Sequence, residues 1–203
     1  MAFTALDVKK LREMTNVGMM DCKAALAATD GDMDKAVDWL REKGLAKAAK
    51  KADRIAAEGV AYATVVDGVG VVIEVNSETD FAAKSDKFIE FVKEIADVII
   101  NANPADVDAL LACDVNGQTV ADLLRDKVMV IGENLSIRRF VRYEGDCVAY
   151  VHGGGRIGVL VKFDAEGAAS GSDALIECGK DVAMQIAALN APYLNEASVP
   201  AEV

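Results

Sequence analysis

Two stretches of this chain repeat one pattern, and the repeat constrains the fold more than any other feature. Gly70-Val71-Val72-Ile73-Glu74-Val75-Asn76 parallels Gly158-Val159-Leu160-Val161-Lys162-Phe163-Asp164. Each is the second run of a β-rich pair, with residues 60–66 before the first and 148–151 before the second, and each leads into a stretch of helical periodicity. Asp67-Gly68, between the runs of the first pair, is a strong signal for a two-residue hairpin turn. Helices are predicted at 85–101, with Phe88, Phe91, Val92, Ile95, Ala96 and Ile99 on one face, and at 172–189. Pro104 and Pro192 close them. A further strand is predicted at 134–143, between the copies. A chain that makes strand, strand and helix twice over is expected to form an α+β core with antiparallel sheets in two similar halves.

Ahead of the duplication lies a helical module. Leu6, Val8, Leu11 and Met14 fall near helical spacing, and Thr15-Asn16-Val17-Gly18 breaks the pattern. A second helix is predicted at 19–28, burying Ala25 and Leu26. A third carries Ala36, Val37 and Leu40, with Asp32 as its N-cap and Gly44 as its stop. Three short helices with tight turns suggest a bundle of the ubiquitin-associated type. The stretch 45–58, with Lys47, Lys50, Lys51 and Arg54, reads as a solvated helical linker. The expected organisation is a bundle at 1–44, a linker at 45–58 and a core in two subdomains, 59–144 and 145–203.

Composition excludes several functional classes. Hydrophobic residues make up 52% of the 203, enough for a packed core. The formal net charge of −11 repels phosphate backbones and argues against direct nucleic-acid binding. Cys22, Cys113, Cys147 and Cys178 form no C-x-x-C pair, and His152 is the one histidine, so no metal cluster is expected. The thiols are expected to be reduced and mostly buried. With no basic-then-apolar leader and no apolar stretch near the roughly 20 residues that span a bilayer, the chain is expected in the cytoplasm.

One stretch invites a chemical reading: Glu74-Val75-Asn76-Ser77-Glu78-Thr79-Asp80-Phe81-Ala82-Ala83-Lys84, three carboxylates and an aromatic at a strand-to-helix junction. Three interpretations stand open from the residues alone. Glu78 and Asp80 could be an acid/base or metal pair. The stretch could be a helix N-terminus, with Asp80 and Ser85 as capping types and Phe81 tucked into the core. Or Phe81 could project as a binding anchor. Met19-Met20 reads, taken alone, as core packing. His152 beside Gly153-Gly154-Gly155 reads as a solvated turn histidine. No G-K-[ST] follows those glycines, so nucleotide binding by this chain is not expected.

These segments, taken together, resemble the bacterial elongation factor Ts family, exchange factors for elongation factor Tu. The resemblance rests on four ordered motifs: Leu11-Arg12-Glu13-Met14-Thr15-Asn16-Val17-Gly18-Met19-Met20-Asp21-Cys22-Lys23-Ala24-Ala25-Leu26; the 74–84 stretch; Ile131-Gly132-Glu133-Asn134-Leu135-Ser136-Ile137-Arg138-Arg139; and His152-Gly153-Gly154-Gly155-Arg156-Ile157-Gly158-Val159-Leu160-Val161. It implies that Thr79, Asp80, Phe81 and Ala82 reach into the partner's nucleotide domain near its magnesium, with Asp80 and Phe81 as the intruding residues. Ala82 stands where the family commonly has Val. The resemblance also places Arg12, Met19 and Met20 against another face of that domain and the 131–134 loop, with Ile131, Gly132 and Asn134, at the same interface. It assigns His152 to the half that meets the partner's distal domain. Long members continue beyond the equivalent of Val199-Pro200-Ala201-Glu202-Val203 into a helical hairpin and a C-terminal helix. A fragment and a natural short form are both compatible with this sequence, and homo-oligomerisation is left open.

The implied activity is exchange without covalent catalysis: a translation elongation factor that promotes GDP release from elongation factor Tu by disturbing the magnesium and phosphate site, so that GTP can bind. It needs no cofactor, catalytic residue or membrane. Two rivals are a passive, chaperone-like binding module and a metal-dependent hydrolase built on Glu74, Glu78 and Asp80.

Overall fold

In the computed structural model, which describes residues 3–15 and 17–202, the helices are α1 (Ala5–Thr15), α2 (Met19–Ala28), α3 (Met33–Lys51), α4 (Asp80–Ala83), α5 (Asp86–Ala102), α6 (Val107–Ala112), α7 (Val120–Ile131) and α8 (Asp173–Leu189). The strands are β1 (Glu58–Val66), β2 (Val69–Ser77), β3 (Asp114–Val115), β4 (Gln118–Thr119), β5 (Leu135–Glu144), β6 (Asp146–His152) and β7 (Ile157–Phe163). Asn16, part of the predicted break after α1, lies outside the described residues, as do the side chains of Leu45, Lys47, Ala49 and Ala168. The chain divides into two compact units. One comprises Met1–Glu58, Asn76–Phe91 and Leu111–Ser136; the other comprises Gly59–Val75, Val92–Leu110 and Ile137–Val203.

The first unit starts with the three-helix bundle. Thr4 and Asp7 satisfy each other's orphan groups at the start of α1: the Thr4 N–H donates to Asp7 Oδ2 at 2.8 Å, and the Asp7 N–H to Thr4 Oγ1 at 3.4 Å. Asp32 caps α3, accepting from the Lys35 N–H at 3.0 Å, as its position predicts. The bundle core is Val8, Leu11, Val17, Cys22, Ala25, Leu26, Ala36 and Leu40, with Phe3, Met33, Val37, Trp39 and Met129 packed against it. Leu6 and Met14, which share helical spacing with Val8 and Leu11, are instead exposed.

Gly44 does not stop α3. The helix runs through it to Lys51, because the glycine's role is steric. A Cβ there would lie 2.0 Å from Met129 Sδ, so the missing side chain lets α7 pack against α3. Residues 45–51, the first half of the expected helical linker, are therefore a continuation of α3.

Between α6 and α7 the chain makes a small hairpin, β3 with β4, antiparallel, pairing Asp114 with Thr119 and Val115 with Gln118. Its turn is Asn116-Gly117, both at positive φ (54° and 84°). Thr119 then caps α7, accepting from the Asp122 N–H at 3.1 Å, and Gly132 ends that helix in the left-handed conformation.

The second unit holds strands of both copies of the duplicated pattern. The turn between β1 and β2 is Asp67-Gly68, at φ 49° and 77°, the two positive angles that the sequence signal demands. β2 is the middle strand of a three-stranded sheet in the order β1-β2-β5. β6 and β7 pair antiparallel from Asp146 opposite Phe163 to His152 opposite Ile157. α8 packs on this hairpin closely: a Cβ on Gly179 would come within 2.4 Å of Val148 Cγ2. The predicted apolar face of α5 is fully buried at Phe88, Phe91, Val92, Ile95, Ala96 and Ile99, each large side chain contributing roughly 1.5–3 kcal/mol.

Of the four cysteines only Cys22 is buried, against the expectation of mostly buried thiols; Cys113 and Cys147 are half-buried and Cys178 is exposed. No helix among the described residues is long and apolar enough to cross a membrane.

Candidate functional site

The stretch with three carboxylates becomes, in the first unit, a single-turn helix set directly behind a buried strand end. Asn76 and Ser77 close β2 and are buried despite their polarity. Asn76 Nδ2 donates to Glu58 O at 3.2 Å, and Ser77 Oγ donates to Thr79 O at 3.0 Å. With those groups satisfied inside, the chain turns into α4 at once. The N-cap is Thr79, whose Oγ1 accepts from the Ala82 N–H at 3.2 Å; Asp80, predicted as the capping type, is the first helical residue instead. Ser85 starts α5 as predicted, donating from Oγ to Ala82 O at 2.7 Å and accepting from the Phe88 N–H at 3.4 Å.

This turn decides where Phe81 points. Successive helical residues are about 100° apart. Ala82 and Ala83 take the inner side and are buried, while Phe81 is 84% exposed. The interpretation in which Phe81 tucks into the core is therefore overturned. Seven residues on, Phe88 is 0% exposed and, with Phe91, lies in the core. Asp80, at the foot of Phe81, meets Lys84 Nζ at 2.7 Å, and that ammonium holds its carboxyl below the ordinary carboxylate range.

A second loop supports the first. The Thr79 N–H donates to Glu133 Oε2 at 3.0 Å, and Thr79 Oγ1 donates to Glu133 Oε1 at 2.6 Å. In return the Asn134 N–H donates to Glu78 Oε1 at 2.6 Å. Glu78 also faces Arg54 at 3.5 Å, and its carboxyl is held below the ordinary range, first by the Asn134 N–H and then by Arg54 and Lys51. The end of α3 braces the second loop: Lys51 Nζ donates to Gly132 O, and Asn134 Nδ2 donates to Arg54 O at 2.8 Å and Ala52 O at 3.4 Å.

The other predicted site residues are placed as follows. Arg12 is exposed on α1, and Met19 and Met20 begin α2 at 49% and 74% exposure, so the methionine pair does not fill the core. Ile131 is half-buried at the end of α7. His152, in the second unit, is the last residue of β6; it is exposed and shares a 2.8 Å hydrogen bond between its Nδ1 and Tyr150 Oη. Glu74, also in the second unit, takes Arg138 at 3.1 Å and Arg139 at 2.6 Å. The three carboxylates of the hydrolase reading thus have separate cationic partners. Among the described residues no group of three or more His, Cys, Asp or Glu side chains is placed to hold a metal ion.

Residues 78–203 match the family described as Elongation factor TS. The chain is 54% identical to "Elongation factor Ts" of Ruegeria pomeroyi over 98% of its own length and 67% of that relative's. It is 52% identical to the protein of the same name from Jannaschia sp., over 100% of this chain and 68% of that one. For Trichlorobacter lovleyi the identity is 49%, over 100% and 68%. This chain belongs to the elongation factor Ts family. It spans about two thirds of the length of these elongation factor Ts relatives.

Within this member of the elongation factor Ts family, the sequence points to the 79–82 turn but not to what holds it. Glu133 and Arg54 are the bracing residues that sequence reasoning misses. Glu133 sits inside a quoted motif, yet its contact is 54 residues away, and no local pattern announces it. Arg54 reads as one charge among four in a solvated run. A local signal did exist for Thr79, a good capping type three residues before the amide it accepts from.

Proposed function

We propose that this chain binds elongation factor Tu carrying GDP and promotes release of the nucleotide, and that the 79–82 turn is the part that dislodges it. The observation that carries this reading is Phe81: an aromatic 84% exposed on a single helical turn that Thr79 caps and Glu133 braces. Single exposed apolar residues are common. An aromatic on a rigid, capped turn, flanked by the charged pair of Asp80 and Lys84, has the form of an interface anchor. Ala82 and Ala83 seat that turn on the core, so force on the ring is met by the fold.

The mechanism is linkage. A factor that binds nucleotide-free partner more tightly than nucleotide-bound partner weakens nucleotide affinity by the same ratio. Inserting Phe81 beside the partner's magnesium displaces the groups that hold the ion. Phosphate charge is then uncompensated and the nucleotide loosens. No bond is made or broken, so no nucleophile, acid or base is needed. Arg12, Met19 and Met20 offer a second contact face, with Ile131, Gly132, Asn134 and His152 as further contacts. Phe81→Ala, mixed with elongation factor Tu bound to labelled GDP in stopped flow, is expected to slow stimulated release at least about tenfold, the scale of a lost anchor. An unchanged release rate would refute the assignment.

A further inference from the structure

We propose that Glu133 is a positioning residue for Phe81: with Glu78 it forms a reciprocal clamp that sets the 79–82 turn in its docking conformation before a partner arrives. The proposal rests on the reading of Phe81 as the docking residue.

The argument starts from the hydroxyl of Thr79. A hydroxyl has one proton to give and two lone pairs to receive with. Thr79 gives its proton to Glu133 Oε1 at 2.6 Å, which leaves the lone pairs to face α4, where the Ala82 N–H donates at 3.2 Å. The other oxygen of Glu133 takes the Thr79 backbone N–H at 3.0 Å. One carboxylate thereby fixes both the backbone and the side-chain direction of the residue that caps the Phe81 turn. Both bonds are charge-assisted, the stronger class.

The second half of the clamp runs the opposite way. Glu78, the residue before Thr79, accepts the N–H of Asn134, the residue after Glu133, at 2.6 Å. Adjacent residues on each loop thus exchange a carboxylate for a backbone amide, and neither loop can slide along the other without breaking both. Asn134 spends its side-chain donors on Arg54 O and Ala52 O, and Lys51 reaches Gly132 O, so the 132–134 loop is anchored to the end of α3. A turn ordered in advance does not spend binding free energy on its own ordering.

Glu133→Ala is therefore expected to weaken apparent affinity for elongation factor Tu·GDP by about three- to tenfold, the scale of one ordinary hydrogen bond. The release rate within the saturated complex stays near that of the unaltered chain. Glu133→Gln keeps a carbonyl acceptor for one of the two Thr79 donors and falls between the two. Three measurements on the full chain separate this from a general loss of structure. In a Phe81→Ala background, Glu133→Ala adds nothing further, because the clamp acts through Phe81. Amide hydrogen exchange at Thr79 accelerates in Glu133→Ala while that at Val92, within α5, does not. Glu133→Gln partly restores both affinity and protection. The proposal is overturned by unchanged affinity in Glu133→Ala, by a loss that adds to that of Phe81→Ala, or by Thr79 protection that does not respond. A failure of the docking reading looks different: Phe81→Ala itself leaves release unchanged, and the clamp then has no anchor to position.

Discussion

The two copies of the duplicated pattern start their helices in the same way and differ in what precedes the start. Ser85 Oγ donates to the carbonyl three residues back at 2.7 Å and accepts from the amide three residues on at 3.4 Å. Ser172 does the same, to Ala169 O at 2.8 Å and from the Leu175 N–H at 3.2 Å. Ahead of Ser85 stand the two-carboxylate clamp and the projecting Phe81. Ahead of Ser172 stand Gly167 and Gly171, both at positive φ, with the Gly171 N–H donating to Asp146 Oδ1 at 2.8 Å and no aromatic between Phe163 and Ser172. The shared serine device belongs to folding. The projecting Phe81 turn, found in one copy alone, is the part proposed to dislodge the nucleotide, a site grafted on one instance of a repeated scaffold.

The largest effect that sharpens this contrast separates two phenylalanines. Phe88→Ala is expected to remove about 3–5 kcal/mol from unfolding free energy, and Phe81→Ala less than about 0.5 kcal/mol. Urea unfolding checks both, and a large loss in Phe81→Ala would mean the exposed ring supports the fold after all. Next, Gly179→Ala forces a Cβ to within 2.4 Å of Val148 Cγ2. It is expected to destabilise by about 1–3 kcal/mol, outweighing the gain in helix propensity. Ser85→Ala and Ser172→Ala should each lose about 1 kcal/mol. The comparison breaks if one is costly and the other silent.

The smallest effects concern charge. Glu78 is held below the ordinary carboxylate range by the Asn134 N–H first, then by Arg54 and Lys51. A depressed acid stabilises the fold above its unfolded pKa, near about 4.3, and that contribution is lost as pH falls through the lower folded value. The clamp should therefore be intact near neutral pH. The NMR shift of the Asn134 amide should titrate with a midpoint below about 4.3, and Glu78→Gln should abolish that titration. Asp126 has the opposite sign: burial pushes its carboxyl up, so its charged form costs stability once pH rises through the folded value. Asp126→Asn is expected to stabilise by less than about 1 kcal/mol at pH 7, a gain that fades in acid. A loss at pH 7 would count against it.

Where a signal was local, the sequence could be read. Asp67-Gly68 gave the hairpin because two consecutive positive φ values suit few other dipeptides, and the apolar face of α5 followed from period alone. Asn116-Gly117 carried the same turn signal but flanks strands of two residues each, too short to show a period. Gly44 misled for a tertiary reason: its neighbour is Met129, 85 positions away, and nothing nearby distinguishes a stop from a close approach. The direction of Phe81 depends on which residue caps α4, and a one-residue change of cap, from Asp80 to Thr79, rotates every later side chain by about 100°. The clamp was the least legible part, since its carboxylates and amides come from loops that only the fold brings together.

The capped turn also bears on how this chain meets proteases. Enzymes that cut after aromatic residues bind their substrates as extended strands, and Phe81 offers them the most exposed ring in the chain. While α4 is helical and Thr79 is held by Glu133, the peptide bond after Phe81 cannot adopt that extended form. Cleavage must then wait for local opening. The bonds that aim the ring toward a partner are thus the same bonds that keep a prominent aromatic from becoming a nick site.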